Sequence, residues 1–149
     1  MKEPLVADST CLIALERVGK LDLLPELFAP VSIPPAVESE FGRQLDWLEV
    51  VELTSLHLAD ALKMVVGKGE SEAIALAVQT KRQLITDDKQ ARTAADRLGV
   101  SVFGTIGLLV RAKNAGIVDE IKSILDDLET NRFFVSRALR EEVLKIVGE

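Results

Sequence analysis

Five acids stand where their side chains could do chemistry together: Asp8, Glu40, Glu70 and the adjacent pair Asp87–Asp88. Asp8 closes the apolar run Leu5-Val6-Ala7, and Asp87–Asp88 closes Leu84-Ile85-Thr86. Each run has the length and composition of a short buried strand, and each feeds directly into a helical pattern. In an open parallel sheet, ligands bind beyond the carboxyl ends of the strands. Two strands ending in Asp therefore direct negative charge into one crevice. An oxygen-only acid cluster suits a hard cation such as Mg²⁺, and divalent cations in such crevices act on phosphates. Taken singly, the same acids have a plainer use. Asp caps helices by accepting from their free amides, and an acid near a helix N-terminus is favoured by the helix dipole.

The elements that must position these acids read as follows. Leu5–Ala7 is a strand, and Ser9 or Thr10 caps a helix running to Val18, stopped by Gly19. Leu21–Phe28 reads as a helix and Val31–Ile33 as a strand. Pro34-Pro35 starts a helix that carries Val37, Glu40 and Phe41 and ends at Gly42. Residues 47–53 alternate as a strand would. A helix capped by Ser55 runs to about Val66, Gly67-Lys68-Gly69 interrupts it, and Glu70–Lys81 continues as an Ala-rich helix. Then come strand Leu84–Thr86, helix Asp88–Leu98, strand Val100–Phe103 and helix Ile106–Asn114. Ile117–Leu128 and the amphipathic Ser136–Val147 are the last helices. The strand–helix alternation from Gln83 to Asn114 indicates an α/β fold with a mostly parallel sheet. The chain shows no internal repeat and no linker, so one domain is expected over 1–149, with 117–149 as a C-terminal helical extension.

Composition narrows the chemistry. At 48% hydrophobic residues, the 149-residue chain can bury a core. One cysteine, Cys11, excludes an internal disulfide and a Cys-based zinc cage, and one histidine, His57, excludes a multi-His metal site. Cys11 sits in an apolar helical pattern as a core residue, and His57 among leucines as a packing residue. The longest apolar stretches, such as Ala73–Val78, are far too short to span a bilayer. Glu3, Pro4 and Asp8 fall where a signal peptide needs an apolar run, so a cytoplasmic protein is expected. The net charge of −6 argues against strong autonomous binding to nucleic acid.

Four phosphate-site patterns fail. Gly67-Lys68-Gly69-Glu70-Ser71 lacks the spacing and the Lys-Ser/Thr pair of a Walker A loop, and Glu72 stands where a dinucleotide fingerprint needs its third Gly. Asp8-Ser9-Thr10 lacks the second Asp of a phosphatase motif. A receiver domain would carry its acid pair after the first strand, whereas Asp87–Asp88 comes late.

The order of motifs nevertheless resembles a known family. Asp8-Ser9-Thr10-Cys11-Leu12-Ile13, Pro34-Pro35-Ala36-Val37-x-x-Glu40, Gly67-x-Gly69-Glu70-x-x-Ala73-Ile74-Ala75-Leu76-Ala77 and Leu84-Ile85-Thr86-Asp87-Asp88 together resemble the PIN-domain nucleases. Gly104-Thr105-Ile106-Gly107-Leu108-Leu109 and Arg132-Phe133-Phe134-Val135-Ser136 are similar to a short, largely uncharacterised prokaryotic branch of it. The resemblance spans nearly the whole chain. It implies a three-layer α/β/α sandwich and a Mg²⁺- or Mn²⁺-dependent endoribonuclease, with Asp8, Glu40, Glu70 and Asp88 as the four metal-holding, catalytic acids. Asp87 is an extra acid and a further candidate ligand, and Glu70 stands where the family usually has Asp. Ser9, Thr10 and Thr86 are hydroxyls placed to orient the carboxylates. Lys89 and Arg92 offer positive charge to an RNA backbone, although a solvated helix face is the favoured account of them. The resemblance also implies a toxin role with an antitoxin partner, and a homodimer. The rival expectation is a catalytically degenerate PIN scaffold that binds RNA or a protein partner.

Overall fold

The computed structural model describes residues 1–149. Five strands build its sheet: β1 (Glu3–Ala7), β2 (Phe28–Ile33), β3 (Leu48–Val50), β4 (Gln83–Ile85) and β5 (Val102–Phe103). All four pairings are parallel, and the strand order is β3-β2-β1-β4-β5. Parallel sheets are buried on both faces, and Leu5, Val6, Ala7, Leu84 and Ile85 are accordingly fully buried. Nine helices flank the sheet: α1 (Ser9–Arg17), α2 (Leu23–Leu27), α3 (Pro35–Phe41), α4 (His57–Leu62), α5 (Lys68–Thr80), α6 (Lys89–Arg97), α7 (Thr105–Asn114), α8 (Lys122–Thr130) and α9 (Arg137–Ile146). The result is the α/β/α sandwich that the motif order implied, with the sheet wholly rather than mostly parallel.

The strand order fixes where a site belongs. From β1 the chain winds outward through β2 to β3. It then crosses back to lay β4 on the other side of β1. The switch point is between β1 and β4, which pair through Leu5–Gln83, Val6–Leu84 and Ala7–Ile85. The crevice beyond their carboxyl ends is the natural ligand position in such a sheet. Asp8 and the run 86–88 follow those ends directly.

Several elements depart from the sequence pattern for identifiable reasons. The first helix is capped by Asp8 rather than by Ser9 or Thr10. The second ends at Leu27, and Phe28 joins β2, where its ring stacks on Phe103 at 5.8 Å. The break between the fourth and fifth helices falls at residues 63–67 rather than at Gly67-Lys68-Gly69, because Gly67 is the N-cap and Lys68-Gly69 the first turn of α5. His57 is exposed at the start of α4 rather than packed among leucines. Residues 117–121 are not helical. Helix α8 starts at Lys122 without a side-chain cap of its own, and the Glu149 carboxylate accepts from the amides of Ile121 (2.8 Å) and Lys122 (3.0 Å) in its place.

One core of 35 residues runs from Leu5 to Val143 and takes in Ile121, Ile124, Leu125 and Leu128 beside α8. Most of the apolar C-terminal stripe packs on this core: Val135 and Val143 are buried, and Phe133, Leu144 and Val147 lie against it. Phe134, Leu139 and Ile146 are left exposed. No helix is long and apolar enough to cross a membrane.

Candidate active site

Asp8 is the centre of the crevice. It is 1% exposed, and backbone and side chain hold it from two directions. Its Oδ1 accepts from the Cys11 amide at 2.9 Å, which caps α1. Its Oδ2 accepts a hydrogen bond from the Thr86 hydroxyl at the end of β4. Thr86 in turn accepts from the Asp88 amide at 3.3 Å. One hydroxyl therefore ties the first acid to the turn that presents the last one. Burial pushes the Asp8 carboxyl up from 3.8 to about 6. The bonds from Thr86 and Cys11 oppose the rise, and the nearby charge of Asp87 adds to it.

Asp87 and Asp88 have different surroundings. Asp88 is half-buried and caps α6, its Oδ2 accepting from the Ala91 amide at 2.8 Å. Asp87 faces β5 and α7. It accepts from the Thr105 amide (2.8 Å), the Thr105 hydroxyl (2.5 Å) and the Cys11 thiol (3.1 Å). Burial raises the Cys11 thiol well above its ordinary pKa, with Asp8 and Asp87 adding to the shift, so it stays protonated and donates. The close approach of Asp87 depends on Gly104, where a Cβ would come within 2.5 Å of the Asp87 Oδ1.

Glu40 and Glu70 form a second group. Glu40 lies at the end of α3, and its carboxylate rests on the backbone of Gly69, so closely that a Cβ there would overlap its Oε1. Ser9, next to Asp8, donates to Glu40 at 3.4 Å and links the two groups. Glu70, in the first turn of α5, folds back toward Gly67. Although Glu40 is largely exposed, desolvation against that backbone and the charge of Glu70 raise its pKa. Glu72 is a separate case. It is 7% exposed, and its Oε1 accepts from the Ala36 amide at 3.1 Å, supplying the cap that the prolines cannot give α3.

Of the residues singled out from sequence, Asp8, Asp87, Asp88, Thr86 and Ser9 lie in one hydrogen-bonded neighbourhood, with Glu40 joined through Ser9 and Glu70 beside Glu40. Thr10 makes no hydrogen bond to a carboxylate and lines a neighbouring cleft with Ile13, Arg17 and Asn131. Lys89 and Arg92 are exposed on α6, and Arg92 lines a further cleft with Asp87. Sequence reasoning missed Thr105, Gly69 and Gly104. Thr105 sits in the Gly-Thr pair after β5, a position that resembles any helix start.

No three of these acids stand together at ligating distance. Their chemistry nevertheless fits a hard cation, since every donor is oxygen. Each carboxylate has about four lone-pair positions, so the existing hydrogen bonds leave room for a further ligand bond. The raised carboxyls of Asp8 and Glu40 mark negative charge that lacks a counter-charge.

The fold is thus a wholly parallel α/β/α sandwich with acids beyond the switch point of its sheet. The chain belongs to the PIN domain family: the family model described as DUF3368, PIN domain, matches residues 4–149. Among solved structures it is similar to a PilT N-terminus domain protein, SSO1118, from the hyperthermophilic archaeon Sulfolobus solfataricus P2. The match has a TM-score of 0.52 and 22% identity, and it covers 73% of this chain and 92% of that one. No curated protein matches.

Proposed function

We propose that this chain is a Mg²⁺- or Mn²⁺-dependent endoribonuclease whose Asp8, Glu40, Glu70 and Asp88 hold the metal, with Asp87 beside them. The carrying observation is Asp8: a buried carboxylate at the switch point, fixed by Thr86 and the Cys11 amide, with its pKa raised to about 6. A charge kept in that position at such a cost is suited to a cation. When bound, the cation supplies an activated water and neutralises charge on the scissile phosphate. Thr86 orients Asp8 and the turn carrying Asp88, and Ser9 orients Glu40. This route needs no side-chain nucleophile, which suits a chain whose one thiol is held as a neutral donor and whose one histidine is exposed on α4. Cytoplasmic location, a toxin role with a cognate antitoxin, and a homodimer belong to the same proposal and rest on the family resemblance.

A second reading, the degenerate scaffold, is favoured by one observation. Asp8, Asp87 and Asp88 each already hold a backbone amide, and each would be useful without any metal. The test is cleavage. Purified chain with Mn²⁺ should cut single-stranded RNA, EDTA should stop it, and Asp8→Asn should abolish it. Equal cleavage by Asp8→Asn would place the activity elsewhere, and no cleavage by the unmodified chain would favour the scaffold.

A further inference from the structure

The cleft that opens beside Asp87 has a volume of about 570 Å³ and an aromatic residue at its rim. Asp87, Arg92, Phe103, Gly107, Phe134 and Leu139 line it. Phe134 is 87% exposed, while its neighbour Phe133 lies against the core and Val135 is buried. Phe103 is not equivalent: one ring face carries the Arg111 guanidinium at 3.9 Å, and Phe28 stacks on it as well. Phe134 is thus the aromatic ring of this cleft left open to a ligand.

The charges around it are uncommitted. Arg92 makes no ion pair, and its guanidinium reaches the Gly104 backbone beside Asp87, its Nη1 3.6 Å from where a Cβ there would stand. On the other side of Phe133 lies a second cleft, lined by Thr10, Arg17, Asn131 and Arg132. Neither Arg17 nor Arg132 makes an ion pair either, although the chain carries a net charge of −6. Three free arginines therefore flank one exposed aromatic tip, and Thr10 and Asp87 connect both clefts to the acid crevice. An aromatic platform set among cations binds single-stranded nucleic acid by base stacking and backbone neutralisation. Three unpaired arginines around one exposed ring favour a polyanion over a protein partner on this face.

We propose that Phe134 and this cleft take one unstacked base of single-stranded RNA. Arg92 receives the phosphate on one side of that base, and Arg17 and Arg132 receive the strand on the other. The backbone is thereby carried across Asp8 and Asp87. The inference rests on RNA being the ligand of the acid crevice, but not on cleavage.

The test uses the full chain in EDTA with a single-stranded RNA of roughly eight nucleotides carrying 2-aminopurine, whose fluorescence reports stacking. Phe134→Ala should weaken binding about 10-fold, the lower range for loss of one base–aromatic stack, and should abolish the stacking signal. Phe134→Tyr should restore both, and Ile146→Ala, an exposed residue of α9 outside the cleft, should change neither. Because Phe134 is solvent-exposed, these replacements leave the core intact. Unchanged RNA affinity in Phe134→Ala would overturn the inference, as would failure of the unmodified chain to bind RNA. So would a dimer that Phe134→Ala converts to monomer at unchanged RNA affinity, which would make the face a protein interface. Cleavage in Mn²⁺, measured in parallel, separates the two readings. Cleavage and binding indifferent to Phe134 leave the nuclease without this subsite, and Phe134-dependent binding without cleavage leaves the subsite without the nuclease.

Discussion

Asp8→Asn should make the metal-free protein more stable at neutral pH, although it removes the most completely buried charge of the site. The folded-state pKa of Asp8 is raised from 3.8 to about 6. Below about pH 3 the carboxyl is protonated in both folded and unfolded chains, and the shift costs almost nothing. Between about 4 and 6 the folded chain holds a proton that the unfolded chain has released, so stability falls as pH rises. Above that window both are ionised, and the cost is complete at about 3 kcal/mol, since one pKa unit corresponds to 1.36 kcal/mol. Asparagine keeps the acceptor for the Cys11 amide. Its NH₂ can donate to Thr86, but the Thr86 hydroxyl then loses its own acceptor, at a cost of about 1 kcal/mol. The variant should therefore be about 1 kcal/mol less stable than the unmodified chain at pH 3 and about 2 kcal/mol more stable at pH 7.5. For a chain of this size, the latter is about 4–8 °C in melting temperature. Urea unfolding in EDTA across this range measures both, and the two stability curves should cross at about pH 4.5. A stability difference that stays constant from pH 4 to 7.5 would show that Asp8 titrates normally and would refute the reasoning.

Two further substitutions separate site from scaffold. Gly69→Ala places a methyl group on the Glu40 carboxylate, whose flexible end can move away. The fold should survive with stability changed by less than about 1 kcal/mol, while the Mn²⁺-induced rise in melting temperature shrinks. Glu72→Ala should cost about 1–2 kcal/mol in urea unfolding, because the Ala36 amide of α3 loses its cap; Glu72→Gln, which keeps the accepting oxygen, should cost much less.

The strands β1 and β4 were legible because both are short apolar runs that end in acids. Period and punctuation locate Asp8, Thr86 and Asp88 at strand ends, whereas the pairing of β1 with β4 and the switch point come from the structure. Pro34-Pro35 and Gly42 likewise bounded α3, since proline and a left-handed glycine act locally. What stayed hidden depends on distant contacts. Glycine is usually read as a breaker, so Gly67-Lys68-Gly69 looked like an interruption. Here Gly69 is small in order to seat Glu40, thirty residues away in sequence by rough count, and only the packing of α3 on α5 shows it. Residues 117–121 carry apolar side chains at helical spacing, yet they lie outside α8, whose free amides at Ile121 and Lys122 are met by Glu149 from the other end of the segment. Thr105 was missed for the same reason: its function is set by Asp87 across the sheet.

The claim on which the rest depends is that the Asp8 group and the Glu40–Glu70 group act as one cation site. Isothermal titration of Mn²⁺ into the metal-free chain at pH 7.5 tests it directly, with Asp8→Asn and Glu40→Gln in parallel. Mn²⁺ uptake by the unmodified chain, lost or greatly weakened in both variants, is the predicted result. Undiminished uptake by Glu40→Gln would mean that the two groups are separate, and no uptake by the unmodified chain would mean that these acids serve the fold alone.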